Sequence, residues 1–349
     1  MTQRSTIYEV ARRSGVSTAT VSRVMHSGTG YSAATRERVL ATAAEIGWLP
    51  SGSARSLARR RAGIVGVLFP DLGASGDAEE ESPLYVDQVI RGAERAATDA
   101  GDAVLIAATR GSSGRDLALS VATKVDGLVI VARSLSEADI AALGARLPVV
   151  VLSDHAGRRT SLDSVGVDNR NGIAALVEHL LDEHGYRDLV FVAGPRQSPD
   201  SSERFAGFRR TLLAAGLPAP TKPHAIGGFT EAGGARAVRE LLADREPPDA
   251  IVCGNDEMAV GAVAALAELK LRVPADVAVT GFDDLAISRH LHPPLTTVAQ
   301  PMRDIGAEGV RAVLARVADP TAPRHATVLA TRLVLRRSCG CRSDGRTNR

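Results

Sequence analysis

Residues 6–25 read TIYEVARRSGVSTATVSRVM, and the placement of their apolar side chains predicts two short helices joined by a tight turn. Ile7, Val10 and Ala11 share one face at helical spacing. Thr6 and Glu9 have capping-box spacing, in which the Thr6 hydroxyl accepts the Glu9 amide and the carboxylate reaches back. Ser14-Gly15-Val16 breaks the pattern, with Gly15 free to take a positive φ. Ser17 then N-caps a second helix whose Val21 and Val24 point inward, leaving Thr18, Ala19, Ser22 and Arg23 on the other sides. A third helix is predicted from near Ser32 through TRERVLATAAEIGW. Its Val39, Ala43 and Ile46 face inward, and Trp48 closes a miniature core. Helix, glycine turn and short second helix make a helix-turn-helix, a motif that lays its second helix in the major groove of DNA.

Charge supports that reading. Residues 1–61 hold ten arginines, no lysine and three glutamates, a net +7, while the remaining 288 residues carry a net −5. A basic head on a mildly acidic body implies a polyanionic partner for the head alone. Short side chains at the start of the second helix permit close approach to base edges. Thr18 and Ala19 suit methyl contacts with thymine, and Arg23 suits either guanine O6/N7 or a phosphate. Arg12, Arg36 and Arg38 are the expected phosphate donors. After Pro50 the chain reads SGSARSLARRR. Ala54, Leu57 and Ala58 form an apolar stripe beside Arg55, Arg59, Arg60 and Arg61, too short to be a stable helix alone. A lone Leu57 among arginines fits an apolar wedge between base steps of the minor groove; a basic disordered linker is the alternative.

The chain has 349 residues, 44% of them hydrophobic and 23% charged, enough for more than one domain with a buried core. No apolar run approaches the roughly 18 residues of a membrane span. The start, MTQRSTIYEVARRSG, lacks the apolar run of a secretory signal, and Cys253, Cys339 and Cys341 are too few for a disulfide framework. A cytoplasmic protein with no membrane partner is expected.

From Gly63 the pattern alternates strand and helix. GIVGVLF, DAVLIAA, DGLVIVA and PVVVLS form one series of short apolar runs, and DSVGVD, DLVFVAG, DAIVC and DVAVTGF a second, with amphipathic helices between them. Such alternation implies an α/β body of parallel sheets with helices on both faces, here as two lobes around a cleft. Ligands bind beyond the carboxyl ends of the strands. Asp71, Ser153 and Asp154, Asn255 and Asp256, and Asp283 and Asp284 follow strands directly. Arg204 lies on the helix after VFVAGP, and Phe229 opens another. Carboxylates, amides and an arginine suit the hydroxyls of a small polar ligand, with Phe69, Phe229 or Phe282 over its apolar face. Each Asp or Asn is equally a candidate helix cap.

VARRSGVSTATVSRVM, TRERVLATAAEIGWLP and the SARSLARRR linker closely resemble the LacI/GalR (lactose-repressor-like) family of bacterial transcription regulators, over nearly the full chain. The resemblance implies an all-α helix-turn-helix head on a two-lobed periplasmic-binding-protein-like α/β body, binding a pseudo-palindromic double-stranded DNA operator as a homodimer under control of a small effector, by family default a sugar. It implies base reading from Thr18, Ala19 and Arg23, with Ser22, Arg12, Ala54 and Arg55 alongside, and a hinge helix whose Leu57 enters the minor groove. SSERFAGF, GNDEMAVGA and GFDD match effector-binding segments and point to Arg204, Asn255 and Asp283. Phe229 falls where an aromatic stacks on ligand, and Gln300, after LTTVA, lies near the lobe crossover. Asp71 and Ser153 complete the expected site. Ser153 stands where many members have Asp, with Asp154 next to it. Expected boundaries are 1–49 for the head, 50–62 for the hinge, 63–337 for the body and 338–349 for a basic tail. The absence of a long heptad segment after the body favours a dimer over a tetramer.

Enzyme signatures are missing from the sequence. There is no G-x-x-x-x-G-K-[ST] loop, no G-x-S-x-G elbow, no H-E-x-x-H, and no G-x-G-x-x-G after the first body strand. No catalytic activity, cofactor or metal is expected. The alternative is a solute-binding or sugar-processing α/β protein. His179 and His184, five apart on a helix, lie outside the usual ligand spacing and are expected to be solvated. Cys339 and Cys341 are expected on a flexible basic tail, since two thiols alone do not make a four-ligand zinc site. Cys253 is expected as a small buried residue.

Overall fold

In the computed structural model, which describes residues 6–26, 30–48, 61–70, 83–109, 113–153 and 162–342, the chain divides into two units, Met1–Gly63 and Ile64–Arg349. Ala54, Arg55, Leu57, Asp71 and Asp154 lie outside the described residues. The first unit holds α1 (Ile7–Ser14), α2 (Thr18–His26) and α3 (Ala33–Glu45). Gly15 ends α1 in the left-handed conformation, φ 67°, with its N–H on the Ala11 carbonyl. The Ser17 hydroxyl accepts the Thr20 amide at 3.1 Å, and Ser32 accepts the Thr35 amide at 3.2 Å. Val10, Val21, Val24, Val39 and Ala43 form the core, with Ile7, Ile46 and Trp48 packed against it. The capping box is corrected. Thr6 occupies the N-cap position but its hydroxyl makes no capping bond. Glu9 instead pairs with Arg13 at 3.0 Å, and Arg13 also approaches Glu45 at 3.6 Å, so a cation one turn ahead holds the carboxylate away from Thr6.

The second unit opens with β1 (Ile64–Pro70), α4 (Pro83–Asp99), β2 (Ala103–Thr109), α5 (Gly114–Ala122), β3 (Gly127–Val131), α6 (Glu137–Gly144), β4 (Val149–Leu152) and β5 (Asp163–Val167). The chain continues through α7 (Asn169–Glu183), β6 (Leu189–Ala193), α8 (Pro199–Ala214), β7 (Ala225–Ile226), α9 (Glu231–Ala243), β8 (Ala250–Cys253), α10 (Asp256–Glu268) and β9 (Ala278–Thr280). It closes with β10 (Thr297–Ala299), α11 (Met302–Ala318), β11 (Ala326–Leu329) and β12 (Arg332–Val334). One parallel sheet has the order β11-β5-β4-β3-β1-β2 and a second the order β7-β6-β8-β9; β10 and β12 form an antiparallel pair. β3, β4, β5, β6 and β8 are buried along their whole length, which is why they read as continuous apolar runs.

Place in the chain puts DSVGVD in the second strand series, and the structure corrects this. The segment is β5, and it pairs in parallel with β4 in the first sheet, Val151 opposite Ser164. Order along the chain does not decide sheet membership here, because the chain crosses between lobes three times. It leaves the first lobe after β5 and returns after β10, since Met302, Ile305, Val310 and Val313 of α11 join the first core. It leaves again after β11. The two cores of the second lobe lie on either face of its sheet, one around Phe191, Phe208 and Phe282, the other around Val190, Met258 and Cys253.

The tail is also corrected. Ser338 and Cys339 are fully buried, Cys341 nearly so, and both cysteines belong to the Phe191–Phe208 core. Ser338 Oγ donates to the Val279 carbonyl at 2.6 Å and accepts the Thr296 amide at 2.8 Å. These bonds dock the segment after β12 onto β9 and the strand-end loops, so the body continues at least to Cys341. His179 is buried and His184 half-buried, because that docked segment covers them. Neither is solvated as expected.

Candidate functional site

In the head, Ala19 and Arg23 are exposed on α2, with Thr18 and Ser22 partly so, while Val21 and Val24 turn into the core. That division follows from a nine-residue helix with valines three apart. Arg12 and Arg36 are exposed. Arg38 has a structural duty as well, since its Nε donates to the Ser14 carbonyl at 2.9 Å and ties α3 to the end of α1.

In the body, one cavity opens at the carboxyl ends of both sheets and spans roughly 450 Å³ with its open mouth, within the range of small-molecule sites. Ser153, Arg204, Phe229, Asn255, Asp283 and Gln300, all expected from sequence, line it. Phe69 and Phe282 do not. Phe69 packs against the first core, and Phe282 lies beneath the Arg204 guanidinium, 3.8 Å from its carbon to the ring centroid. Tyr85, Arg133, Ser198 and Asp200 also line the cavity and were missed. Arg133 was accessible to the strand-end rule, standing two residues past β3. Ser198-Pro199-Asp200 carried a helix-start signal: Ser198 caps α8 by accepting the Ser201 amide. Nothing local marked Tyr85, whose hydroxyl meets Ser153 Oγ at 3.3 Å.

Arg204 organises the polar floor. It is 3% exposed. Its Nε donates to Asn169 Oδ1 at 2.7 Å and one terminal nitrogen donates to the Gly254 carbonyl at 2.6 Å. The same nitrogen stands 3.6 Å from Asp283 Oδ1, which also accepts from Gln300 Nε2 at 2.5 Å. Burial pushes the Asp283 carboxyl well up from the usual carboxylate range, against the opposing pull of Arg204. Asn169 Nδ2 reaches Asp200 at 2.7 Å. Asn255 is both cap and lining residue, since its Oδ1 accepts the Met258 amide and its Nδ2 donates to the Phe229 carbonyl, each at 3.0 Å.

Asp256, fully buried beside it, accepts from the Leu285 amide at 2.8 Å, Ser288 Oγ at 2.6 Å and Thr297 Oγ1 at 2.6 Å. Burial raises its carboxyl to about 6 despite those bonds. It serves by fixing the loop that presents Asp283. Backbone strain collects at the same place. Of the six non-glycine residues with positive φ among those described, Arg133, Ser153, Phe229 and Asp283 line the cavity. Such conformations cost on the order of 1–3 kcal/mol each and persist where the surroundings enforce them. A closed polar floor, an aromatic wall and enforced backbone are the properties of a pre-formed ligand site.

Comparison with known proteins follows the same division. Residues 6–51 match the family described as bacterial regulatory proteins, lacI family, and residues 177–339 match the periplasmic binding protein-like domain. Catabolite control protein A of Priestia megaterium is 31% identical over 337 residues, covering 95% of this chain and 98% of that protein. A solved complex of the transcriptional regulator CelR with cellobiose is 31% identical with a TM-score of 0.71, over 96% of this chain and 100% of that one. The lac repressor dimer bound to operator and an anti-inducer is 29% identical with a TM-score of 0.83, over 97% and 99%.

Proposed function

The chain belongs to the lacI family of bacterial regulatory proteins, and on that premise we propose that it is a cytoplasmic, non-enzymatic homodimeric repressor whose operator affinity answers to a sugar held in the body's cavity. The observation that carries the reading is the convergence of Ser153, Arg204, Phe229, Asn255, Asp283 and Gln300 on one cavity at the strand ends. Donors and acceptors surround an aromatic face, which suits the alternating hydroxyl and C–H surfaces of a pyranose or furanose ring. A sugar bound to the CelR protein and an operator-bound lac repressor dimer support the two halves of the proposal.

Thr18, Ala19, Ser22 and Arg23 read bases, Arg12 contacts phosphate, and Ala54, Arg55 and Leu57 form the hinge in the minor groove. One head offers little contact area, so two copies are needed for strong, palindromic binding. Exposed Ile106 on edge strand β2 and exposed Leu117 on α5 support burial of that side of the first lobe in a dimer. Ligand in the cavity shifts one lobe against the other and changes the separation of the two hinges, which then form or melt. No helix among the described residues is long and apolar enough to cross a membrane.

The test is fluorescence anisotropy of full-length protein on duplexes from its own upstream region, with and without a panel of mono- and disaccharides. One sugar should change operator affinity by about 5–150-fold, a coupling of roughly 1–3 kcal/mol. No preference for any duplex over bulk competitor DNA refutes the regulatory reading. A preferred duplex with no response to any sugar refutes the sugar.

A further inference from the structure

Four side chains that serve neither the head nor the cavity meet at the far end of α7. His179 lies near the end of that helix, His184 immediately follows it, and Cys339 and Cys341 come from the segment after β12. One donor atom from each lies within 4.8 Å of every other. His179 Nε2 and His184 Nε2 are 3.2 Å apart. Cys341 Sγ stands 3.3 Å from the first and 3.5 Å from the second. Cys339 Sγ is 3.7 Å from His179 Nε2. We propose that His179, His184, Cys339 and Cys341 bind one zinc ion, and that this ion clamps the C-terminal segment onto the second lobe.

The spacings fit a shared centre. A tetrahedral zinc with bonds of about 2.0–2.1 Å to nitrogen and 2.3 Å to sulfur sets its ligands roughly 3.3 Å apart for N···N and 3.6 Å for N···S. Hydrogen bonding alone accounts poorly for four such atoms turned toward one another, since thiols are weak donors and each neutral imidazole has one N–H. Two thiolates and a dication cancel in charge, which suits a buried position; binding releases the two thiol protons, and both imidazoles bind neutral. Tetrahedral S₂N₂ donors favour zinc over magnesium, calcium or manganese. Four protein ligands leave no open position, so the ion's role is structural.

The surroundings are built to hold the ligands. Gly340, at φ 105°, makes the turn between the cysteines, and a Cβ there would meet Tyr186 Oη at 3.1 Å and the His184 ring at 3.3 Å. Tyr186 stacks on His184 with centroids 5.2 Å apart and donates to the Cys339 carbonyl at 3.1 Å. Thr296 Oγ1 donates to Cys339 Sγ at 3.0 Å, an outer contact of the kind that steadies a metal-bound thiolate. At its other end α7 presents Asn169, the partner of Arg204, roughly 15 Å away at 1.5 Å per residue. The clamp therefore anchors a helix that also orients the cavity.

Full-length protein purified without chelator should carry one zinc per chain by elemental analysis. After chelation and reduction, Co²⁺ should restore binding with the visible absorption of tetrahedral cobalt and a thiolate-to-cobalt band in the near ultraviolet. Cys341→Ser, which leaves only the Cys339 thiolate, should weaken cobalt binding and cut that band to about half or less per bound cobalt. His184→Gln, at a half-exposed position that spares the core, should weaken zinc by more than the roughly 10–100-fold expected of an outer contact; chelator should lower the Tm of the parent protein and leave that of this variant unchanged. Reduced protein that takes up neither metal overturns the proposal. So does a Cys339–Cys341 disulfide as the purified state, or undiminished zinc affinity in both variants.

Discussion

Replacing Arg204 with Met tests whether the cavity floor is a buried ion pair or a set of separable contacts. Met keeps most of the volume over Phe282 but removes the donors to Asn169 and Gly254 and the cation beside Asp283. Both charged groups are about 3% exposed, so water cannot replace the lost partner. Breaking a buried pair from one side costs about 3–5 kcal/mol. At roughly 2–4 °C per kcal/mol for a large domain, this lowers Tm by about 6–20 °C. Arg204→Met/Asp283→Asn should recover more than half of that loss, because the introduced amide carries no charge and its oxygen still accepts from Gln300. Urea denaturation of parent, both single variants and the double variant closes the cycle. The pH dependence has a fixed sign. Burial already raises the folded-state Asp283 carboxyl above its unfolded value, and losing Arg204 raises it further. The folded variant therefore holds its proton to higher pH than the parent does, so its stability goes on falling with rising pH beyond the point where the parent's levels off. A single variant within about 1 kcal/mol of the parent, well below the cost of a broken buried pair, refutes the reasoning. So does a double variant that costs the sum of the two singles.

Arg23→Ala should lose about 1–3 kcal/mol of operator binding and relax preference at one base pair; equal loss on every duplex in a competition panel reassigns Arg23 to phosphate. Ser32→Ala removes the acceptor for the Thr35 amide and should cost about 1 kcal/mol of local stability, read as faster hydrogen exchange at Thr35. Asp256, raised to about 6 in the folded protein, stays protonated there while the unfolded chain ionises, so it weakens the body as pH rises from about 4 to about 6. Asp256→Asn should flatten that part of the stability profile in a pH series of urea melts; an unchanged slope means the carboxyl titrates normally. Operator affinity should fall steeply with salt, and a flat dependence removes the phosphate contacts.

The eight principal strands were legible because most are buried on both faces and leave unbroken apolar runs. β11, with alternating exposed and half-exposed residues, and the short strands β7, β10 and β12 left no such run. The sheet that holds β5 was not legible either, since nothing in DSVGVD states which neighbour it pairs with. In the head, the cap at Ser17 acts within three residues and reads directly, whereas Thr6 and Glu9 had the right spacing but a stronger partner in Arg13. Cavity residues at strand ends followed from topology. Arg133 satisfied the same rule, yet an arginine after a strand reads equally as a solvated surface charge. The His179–His184–Cys339–Cys341 cluster escaped because spacing rules see one element at a time. Its two halves lie 155 residues apart between His184 and Cys339, and only docking of the C-terminal segment brings them together.

The cavity's own bonding bears on how a ligand acts as a switch. Several of its polar groups are already committed to one another: Arg204 to Asn169, Gln300 to Asp283, Asn255 to the Phe229 carbonyl. All of these belong to the second lobe or its crossover strand. A ligand bonded only there would bind equally well whatever the position of the first lobe, and equal affinity for two states shifts nothing however tight the binding. The differential must come from the opposite wall, where Ser153 with Tyr85 and Arg133 stand at the ends of first-lobe elements. Arg133 and Ser153 on one side, and Phe229 and Asp283 on the other, are also the strained positions. Strain is thus held on both walls of the cleft, at the points a bridging ligand would touch, which is where two discrete lobe arrangements can be told apart by contact. By this argument a ligand that switches the protein must touch the first-lobe wall as well as the second lobe.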